Sequence, residues 1–231
     1  ELHCLEQDYS TWKQEWGGEI ILSYGTNNSR GVGIFIKQGL AHKILGSVID
    51  PEGRYIVLRC EIQGEIFVIM NVYGPNSETS HKDFMRILTV KLNEFLQDED
   101  QKLILGGDWN FTMTINLDRY GGNPRLWHDS VNMVESIKEN FDVIDIWRVR
   151  NPNLKRFTWR QPKPLIQSRI DYFLVSDNLQ QYIEKCDICP GIQSDHSYVM
   201  IHIKSFKEEK HGPSYWKFNN NLLNDLTYTQ A

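Results

Sequence analysis

The stretch that most constrains this chain is Lys102-Leu103-Ile104-Leu105-Gly106-Gly107-Asp108-Trp109-Asn110. Leu103, Ile104 and Leu105 form an unbroken apolar run, the mark of a strand buried on both faces. The two glycines are expected to let the backbone turn tightly. Beyond them, Asp108 and Asn110 should point the same way with Trp109 on the other side, because side chains alternate along extended chain. Open α/β sheets bind ligands at the carboxyl ends of their strands, so this carboxylate and amide stand where a site is expected.

The rest of the chain organises around that strand. Leu5, Tyr9, Trp12 and Trp16 recur at helical spacing, and Gly17-Gly18 should end the helix over 5–16. Strands are expected over 19–24, 31–37, 41–50, 55–63 and 65–73, with a hairpin turn at Gln63-Gly64 and the character of an antiparallel meander. The longest helix is expected over 80–96, with Phe84, Ile87, Leu88, Leu92, Phe95 and Leu96 on one apolar face. Leu117-Asp118-Arg119 reads as polar loop, and 130–140 as a second helix. Strands follow over 157–160, 168–175, 186–189 and 197–203. Runs of strands interrupted by helices point to an α/β (α+β) sandwich: two packed sheets with helices outside.

A length of 231 residues and a 40% hydrophobic share suit one large globular domain with a sizeable core. No apolar run approaches the roughly 18 residues of a membrane span. A net charge of −5 argues against a protein that coats nucleic acid through charge alone, but is compatible with a carboxylate-rich metal site behind a local basic rim. The four cysteines lack paired zinc spacing, and Cys186-Asp187-Ile188-Cys189 falls on an expected strand, so structural thiols in a reduced, intracellular setting are expected.

Polar clusters stand at the ends of the expected strands: Glu1 with His3, Asn71 to Asn76, Asp108 to Asn110, Ser168 to Tyr172, and Ser194 to Ser197. Singly, each has a structural account as a turn, a cap or a satisfied buried carboxylate. Together they supply what phosphoester hydrolysis needs. A hard divalent cation takes oxygen ligands such as Glu1 and a second carboxylate. A histidine oriented by a buried aspartate serves as base. Asparagine and tyrosine supply donors to the non-bridging oxygens.

In order and residue type these motifs resemble the exonuclease–endonuclease–phosphatase superfamily. Within it the chain resembles the endonuclease domain of non-LTR (LINE-type) retrotransposons, through Leu117-Asp118-Arg119 and the downstream Tyr215-Trp216-Lys217-Phe218-Asn219-Asn220. The resemblance implies a DNase I-like four-layer sandwich over residues 1–205, with 206–231 as a tail toward a downstream region. It implies a Mg²⁺ site, with Mn²⁺ as an alternative, held by Glu1, Asp195 and Asp108, with Asn110 as a further oxygen donor. Tyr73 would touch the scissile phosphate, Asp108 would orient or activate the attacking water, and Asn110 would hold the phosphate. Asp171 would pair with His196. Asn71, Arg119, Thr158, Ser168 and Arg169 would serve the DNA side, within a cluster of basic residues that also includes Arg125, Lys155, Arg156, Arg160 and Lys163. DNA as substrate, a reverse transcriptase in the same polyprotein, target-primed reverse transcription and action in the nucleus follow from the same resemblance. The family pattern begins with a strand ending in asparagine ahead of the glutamate. This chain begins at Glu1, so two strand edges should lie exposed. An abasic-site endonuclease, a small-phosphoester phosphatase and a non-catalytic remnant that binds DNA or a partner are the alternatives.

Overall fold

The computed structural model describes residues 2–96, 101–124 and 127–206. Glu1, Arg125 and residues 207–231, which carry expectations above, lie outside the described residues. Helix α1 (Tyr9–Trp16) leads to strands β1 (Glu19–Ser23), β2 (Val32–Ile36), β3 (His42–Ile49), β4 (Tyr55–Ile62) and β5 (Glu65–Tyr73). Helix α2 (Glu78–Phe95), β6 (Lys102–Asp108), the single turn α3 (Ile115–Asp118), β7 (Arg119–Tyr120) and helix α4 (His128–Asn140) follow. Then come β8 (Val143–Asp145), α5 (Ile146–Arg150), β9 (Trp159–Gln161), β10 (Ile166–Ser168), β11 (Asp171–Ser176), β12 (Ile183–Cys189) and β13 (Tyr198–Ile203).

The central sheet has six strands in the order β3-β4-β5-β6-β11-β8. Its pairs are antiparallel except β5–β6, which run parallel because helix α2 carries the chain back across the sheet. Alternation divides its side chains between two cores. Tyr55, Val57, Val68, Met70, Leu103 and Leu105 pack against Phe84, Met85, Leu88 and Leu92 of α2 and Val134 and Ile137 of α4. Leu58, Cys60, Phe67, Ile104 and Val175 face the other way, toward Ile36, Ile183 and the partly buried Ile21, Ile34, Ile201 and Ile203 of the pairs β1–β2 and β12–β13. Trp12 and Phe35 join α1 to the outer face of β1–β2 around Cys4, Ile20 and Leu22. The order of layers is therefore helices, sheet, sheet and helix. A small sheet β7-β10-β9 stands at the end of the sandwich, beside the carboxyl end of β6.

In the second layer β2 is paired with β1, and β13 with β12. Their other edges face a slot of about 280 Å³ lined by Leu2, Val32, Gly33 and Phe35 on one side and Ser197, Tyr198 and Val199 on the other. Asn71, Gly107, Asp108 and Asp171 line its floor.

Four local expectations give way to tertiary context. Gly106 and Gly107 do not form a turn: both lie within β6, opposite Phe173 and Tyr172 of β11. Their lack of a side chain serves close packing instead. A Cβ on Gly106 would strike the Phe173 ring, and one on Gly107, at φ +138°, the Val72 carbonyl. Residues 168–175 are not one strand but two, split between the small sheet and the central sheet. Ile87 lies on the solvent side of α2 at 46% exposure, while Met85 and His81 take the buried face. Phe206, at the start of the expected tail, still packs on Phe67 and Tyr182.

Candidate active site

The site is built from the turn that ends β6. Trp109 is fully buried, while Asp108 and Asn110 on either side of it reach a cleft of about 720 Å³. Asn110 is left-handed, at φ +56°, so the chain reverses there and not at the glycines. Neighbouring elements hold each part of this turn. The Gly74 N–H donates to the Asp108 carbonyl at 2.7 Å, and Trp109 N–H donates to the Ile170 carbonyl at 2.9 Å. The Asn110 side-chain amide donates to Gly74 O at 2.8 Å, and its backbone N–H to Asp108 Oδ1 at 2.8 Å. The Trp109 indole stacks on Tyr172 at 5.3 Å and donates to the Tyr172 carbonyl. From α2, the buried His81 donates through Nε2 to the Trp109 carbonyl at 3.0 Å.

Opposite this turn, β11 begins with Asp171. Its Oδ2 accepts from His196 Nδ1 at 2.9 Å. An ionised carboxylate only accepts, so Nδ1 carries the proton and Nε2 is the free-tautomer nitrogen of a residue that lines the cleft. The backbone N–H groups of Ile170 and Asp171 both donate to Thr158 Oγ1 at 3.0 Å. Across the cleft, Asp195 Oδ2 accepts from the Trp159 indole N–H at 2.8 Å. Tyr73 and His3 also line the cleft. The Arg54 guanidinium lies 5.7 Å from the centre of the Tyr73 ring and donates to its carbonyl at 3.3 Å.

Charge in the cleft is unbalanced. Burial first, and the neighbouring Asp171 carboxylate second, push Asp108 up to about 7, against the Asn110 N–H and His196 that favour its ionised form. Burial alone would depress the His196 imidazole. The hydrogen bond to Asp171 and the charges of Asp171, Asp108 and Asp195 overcome it and raise its pKa. Among the described residues, Asp108, Asp171 and His196 bring ligand atoms within 4.8 Å of one another. Asp195 lies outside that triplet and is tied to Trp159. The carboxylate of Asp108 and the amide oxygen of Asn110 offer oxygen donors of the kind a hard divalent cation takes, and Asp195 lines the same cleft.

The expected residues are thus distributed unevenly. Tyr73, Asp108, Asn110, Asp171, Asp195 and His196 line one cleft. Arg119 and Ser168 line an adjoining pocket of about 550 Å³ with Trp127, Trp159 and Phe111, and Arg119 donates to Ser168 Oγ at 3.3 Å. Three residues expected on the DNA side do not face the cleft. Arg169 is 1% exposed, clamped by Asp118 and Asp145, because a buried guanidinium requires carboxylate partners. Thr158 is fully buried, its hydroxyl engaged with backbone groups of 168, 170 and 171. Asn71 donates to the Gly33 carbonyl at 2.8 Å and borders the slot, not the cleft. Residues that single-sequence reasoning passed over include Trp159, which walls both pockets and holds Asp195, and His81 beneath the turn. An indole next to Thr158 and a histidine on an apolar helix face were the available signals.

The pattern of the endonuclease/exonuclease/phosphatase family matches residues 3–196. A transposon TX1 protein of 149 kDa from Xenopus laevis is 29% identical over the whole chain, which spans 17% of that protein's length. An exodeoxyribonuclease of Bacillus subtilis is 30% identical over 74% of this chain and 73% of its own. Among solved structures, a 3'-5' exonuclease from Neisseria meningitidis superposes with a TM-score of 0.68 at 21% identity, over 88% of this chain and 86% of that one. An AP endonuclease from Archaeoglobus fulgidus superposes with a TM-score of 0.61 at 17% identity, over 87% and 83%. With the family pattern running from His3 through the cleft to His196, on a fold those solved structures share, the chain belongs to the endonuclease/exonuclease/phosphatase family.

Proposed function

We propose that this domain is a divalent-metal-dependent endonuclease that nicks DNA for a retrotransposon, acting in the nucleus beside a reverse transcriptase of the same polyprotein. The observation that carries the reading is the meeting of Asp108 and the Asp171–His196 pair at one end of the central sheet, in a cleft shared with Asn110, Tyr73 and Asp195. The transposon relative, aligned along the whole chain, supports the retrotransposon assignment.

Hydrolysis of a phosphodiester adds water across one P–O bond. A nick that primes DNA synthesis must leave a 3′-hydroxyl, so the bond broken is P–O3′ and the phosphate stays as the 5′-phosphate of the downstream strand. Asp108 lies where a carboxylate can orient the attacking water or take its proton. His196, oriented by Asp171, meets the phosphate through Nε2 and, when protonated, offsets the charge that builds on its oxygens. Asn110 and Tyr73 supply further donors. Asp108, Asp195 and Asn110, with Glu1, would hold Mg²⁺ or Mn²⁺, which when bound lowers the charge on the phosphate and the departing oxygen. The exposed Arg160 and Lys163 and the half-buried Arg119 provide a short basic rim for the duplex backbone.

Supercoiled plasmid incubated with the purified chain should convert to the nicked form with Mg²⁺ and stay intact in EDTA. Nicking that persists in chelator rules out the metal requirement. The adjoining aromatic pocket favours one second reading, an abasic-site endonuclease, because it lies beside the cleft and is roomy enough for a sugar that has left the stack. A duplex with one abasic site, cut far faster than the same duplex intact, would select that reading.

A further inference from the structure

Between the strands β10 and β11 lies a buried charge cluster centred on Arg169, which is not exposed to a substrate. Arg169 sits in the crossover from β10 to β11. Its Nε donates to Asp118 Oδ1 at 2.7 Å, and its Nη2 to Asp118 Oδ2 at 3.1 Å and to Asp145 Oδ2 at 2.7 Å. Its backbone N–H donates to the Asp118 carbonyl at 2.8 Å. Asp118 also accepts from Arg148 Nη2, and Asp145 caps α5 by accepting from Arg148 N–H at 3.1 Å. Two guanidinium groups and two carboxylates thus offset one another, and the cluster ties together α3, β8, α5 and the crossover.

The position of that cluster gives it two lines of contact with the cleft. Asp171 is two residues beyond Arg169, with no regular strand pairing between them. The Arg169 guanidinium also lies over the Tyr172 ring at 5.2 Å, with the Trp147 ring at 5.3 Å. Tyr172 in turn stacks on Trp109, between Asp108 and Asn110. One side chain therefore bears on both halves of the site: on Asp171 through the backbone, and on the β6 turn through stacked rings. A planar fork satisfies two carboxylates at once, and an ammonium group does not.

We propose that Arg169, braced by Asp118 and Asp145, is a positioning residue that sets Asp171 against His196 and both against Asp108; its kinetic consequence rests on the nuclease reading above. Displacement of catalytic groups by about 1 Å can cost on the order of 10²-fold in rate, so loosening this clamp should lower kcat while the exposed DNA-facing residues, and hence KM, stay as they are.

The test compares the ¹⁵N-labelled 231-residue chain with its Arg169→Lys and Asp145→Asn variants. Asp145→Asn keeps a neutral acceptor and serves if Arg169→Lys fails to fold. The first readout needs no activity: the downfield proton resonance of His196 Nδ1–H, assigned by its loss in Asp171→Asn. Variants with wild-type circular dichroism should lose or shift that resonance. The second is plasmid nicking, where kcat should fall about tenfold or more with KM within about twofold. An unchanged resonance and unchanged kcat per folded molecule, with only the melting temperature lowered, would overturn the proposal and leave the cluster a stabilising element. Absence of the resonance from the wild type overturns it too. Wild-type protein that shows the resonance but nicks nothing refutes the nuclease reading and leaves the positioning claim to the spectrum.

Discussion

Asp108 and Asp171 face one another as register partners on the antiparallel strands β6 and β11. Burial disfavours the ionised form of Asp108, and the like charge directly opposite adds to the cost. The ordinary carboxylate value of 3.8 rises to about 7 for Asp108. Between those values the folded chain holds a proton that the unfolded chain has released, so this group's contribution favours the folded state as pH falls through 7 and disfavours it above. Asp108→Asn should therefore stabilise the chain in EDTA at pH 8, by up to about 4 kcal/mol. The gain should shrink toward pH 5. Adding Mg²⁺ should raise the wild-type melting temperature and leave the variant's unmoved. A variant that melts lower than wild type at pH 8 in EDTA would contradict the charge conflict.

His196 and Asp171 should act as one unit. His196→Ala is expected to slow nicking by about 10² or more with folding intact. Asp171→Asn should cost a similar factor, and the double variant little beyond either. Losses that multiply would separate the two residues.

His81 carries a pH signature of the opposite sense. Burial, only partly offset by its bond to the Trp109 carbonyl, lowers its pKa from 6.5 to about 4. Below 6.5 the unfolded chain takes up a proton that the folded chain refuses, so stability falls as pH drops toward 4, by up to about 3 kcal/mol. His81→Gln keeps a donor but does not titrate. Urea melts from pH 7 to pH 4 should show a shallower decline in the variant; parallel curves would exclude His81 as the source.

DNA affinity should reflect few phosphates. The slope of log affinity against log salt is expected on the order of −2 to −4, and Arg160→Ala or Lys163→Ala should reduce its magnitude by about 1 each. Arg169→Lys should leave it unchanged. Fluorescence anisotropy over a salt series measures this, and a slope near −10 would mean a much broader basic face.

Much of this architecture was legible because it is local. The apolar run at Leu103–Leu105 marks a strand buried on both faces, and Gln63-Gly64 makes its hairpin with two left-handed residues, at φ +57° and +89°. Asp108 and Asn110 do share the cleft with Trp109 buried between them, but through a left-handed turn at Asn110 and not through the extended alternation expected. What stayed hidden depends on distant partners. Arg169 looks like a rim cation until Asp118, 51 residues away, and Asp145, 24 residues away, close on it. The break between Ser168 and Asp171 has the same origin, since β10 finds its partners in the small sheet and β11 in the central one. Nor does any neighbouring residue reveal that Gly107 lies against Val72, which arrives from a different strand.

The hairpin from β9 to β10 is fixed at its base and open at its tip. Thr158 and Ser168 are held by backbone bonds next to the Arg169 cluster, whereas Pro162, Lys163, Pro164 and Leu165 are exposed. Insertions at the tip should therefore be tolerated where the same change three or four residues away would not. Evolution, or an engineer, can rewrite what this hairpin touches while the machinery that breaks the bond stays the same.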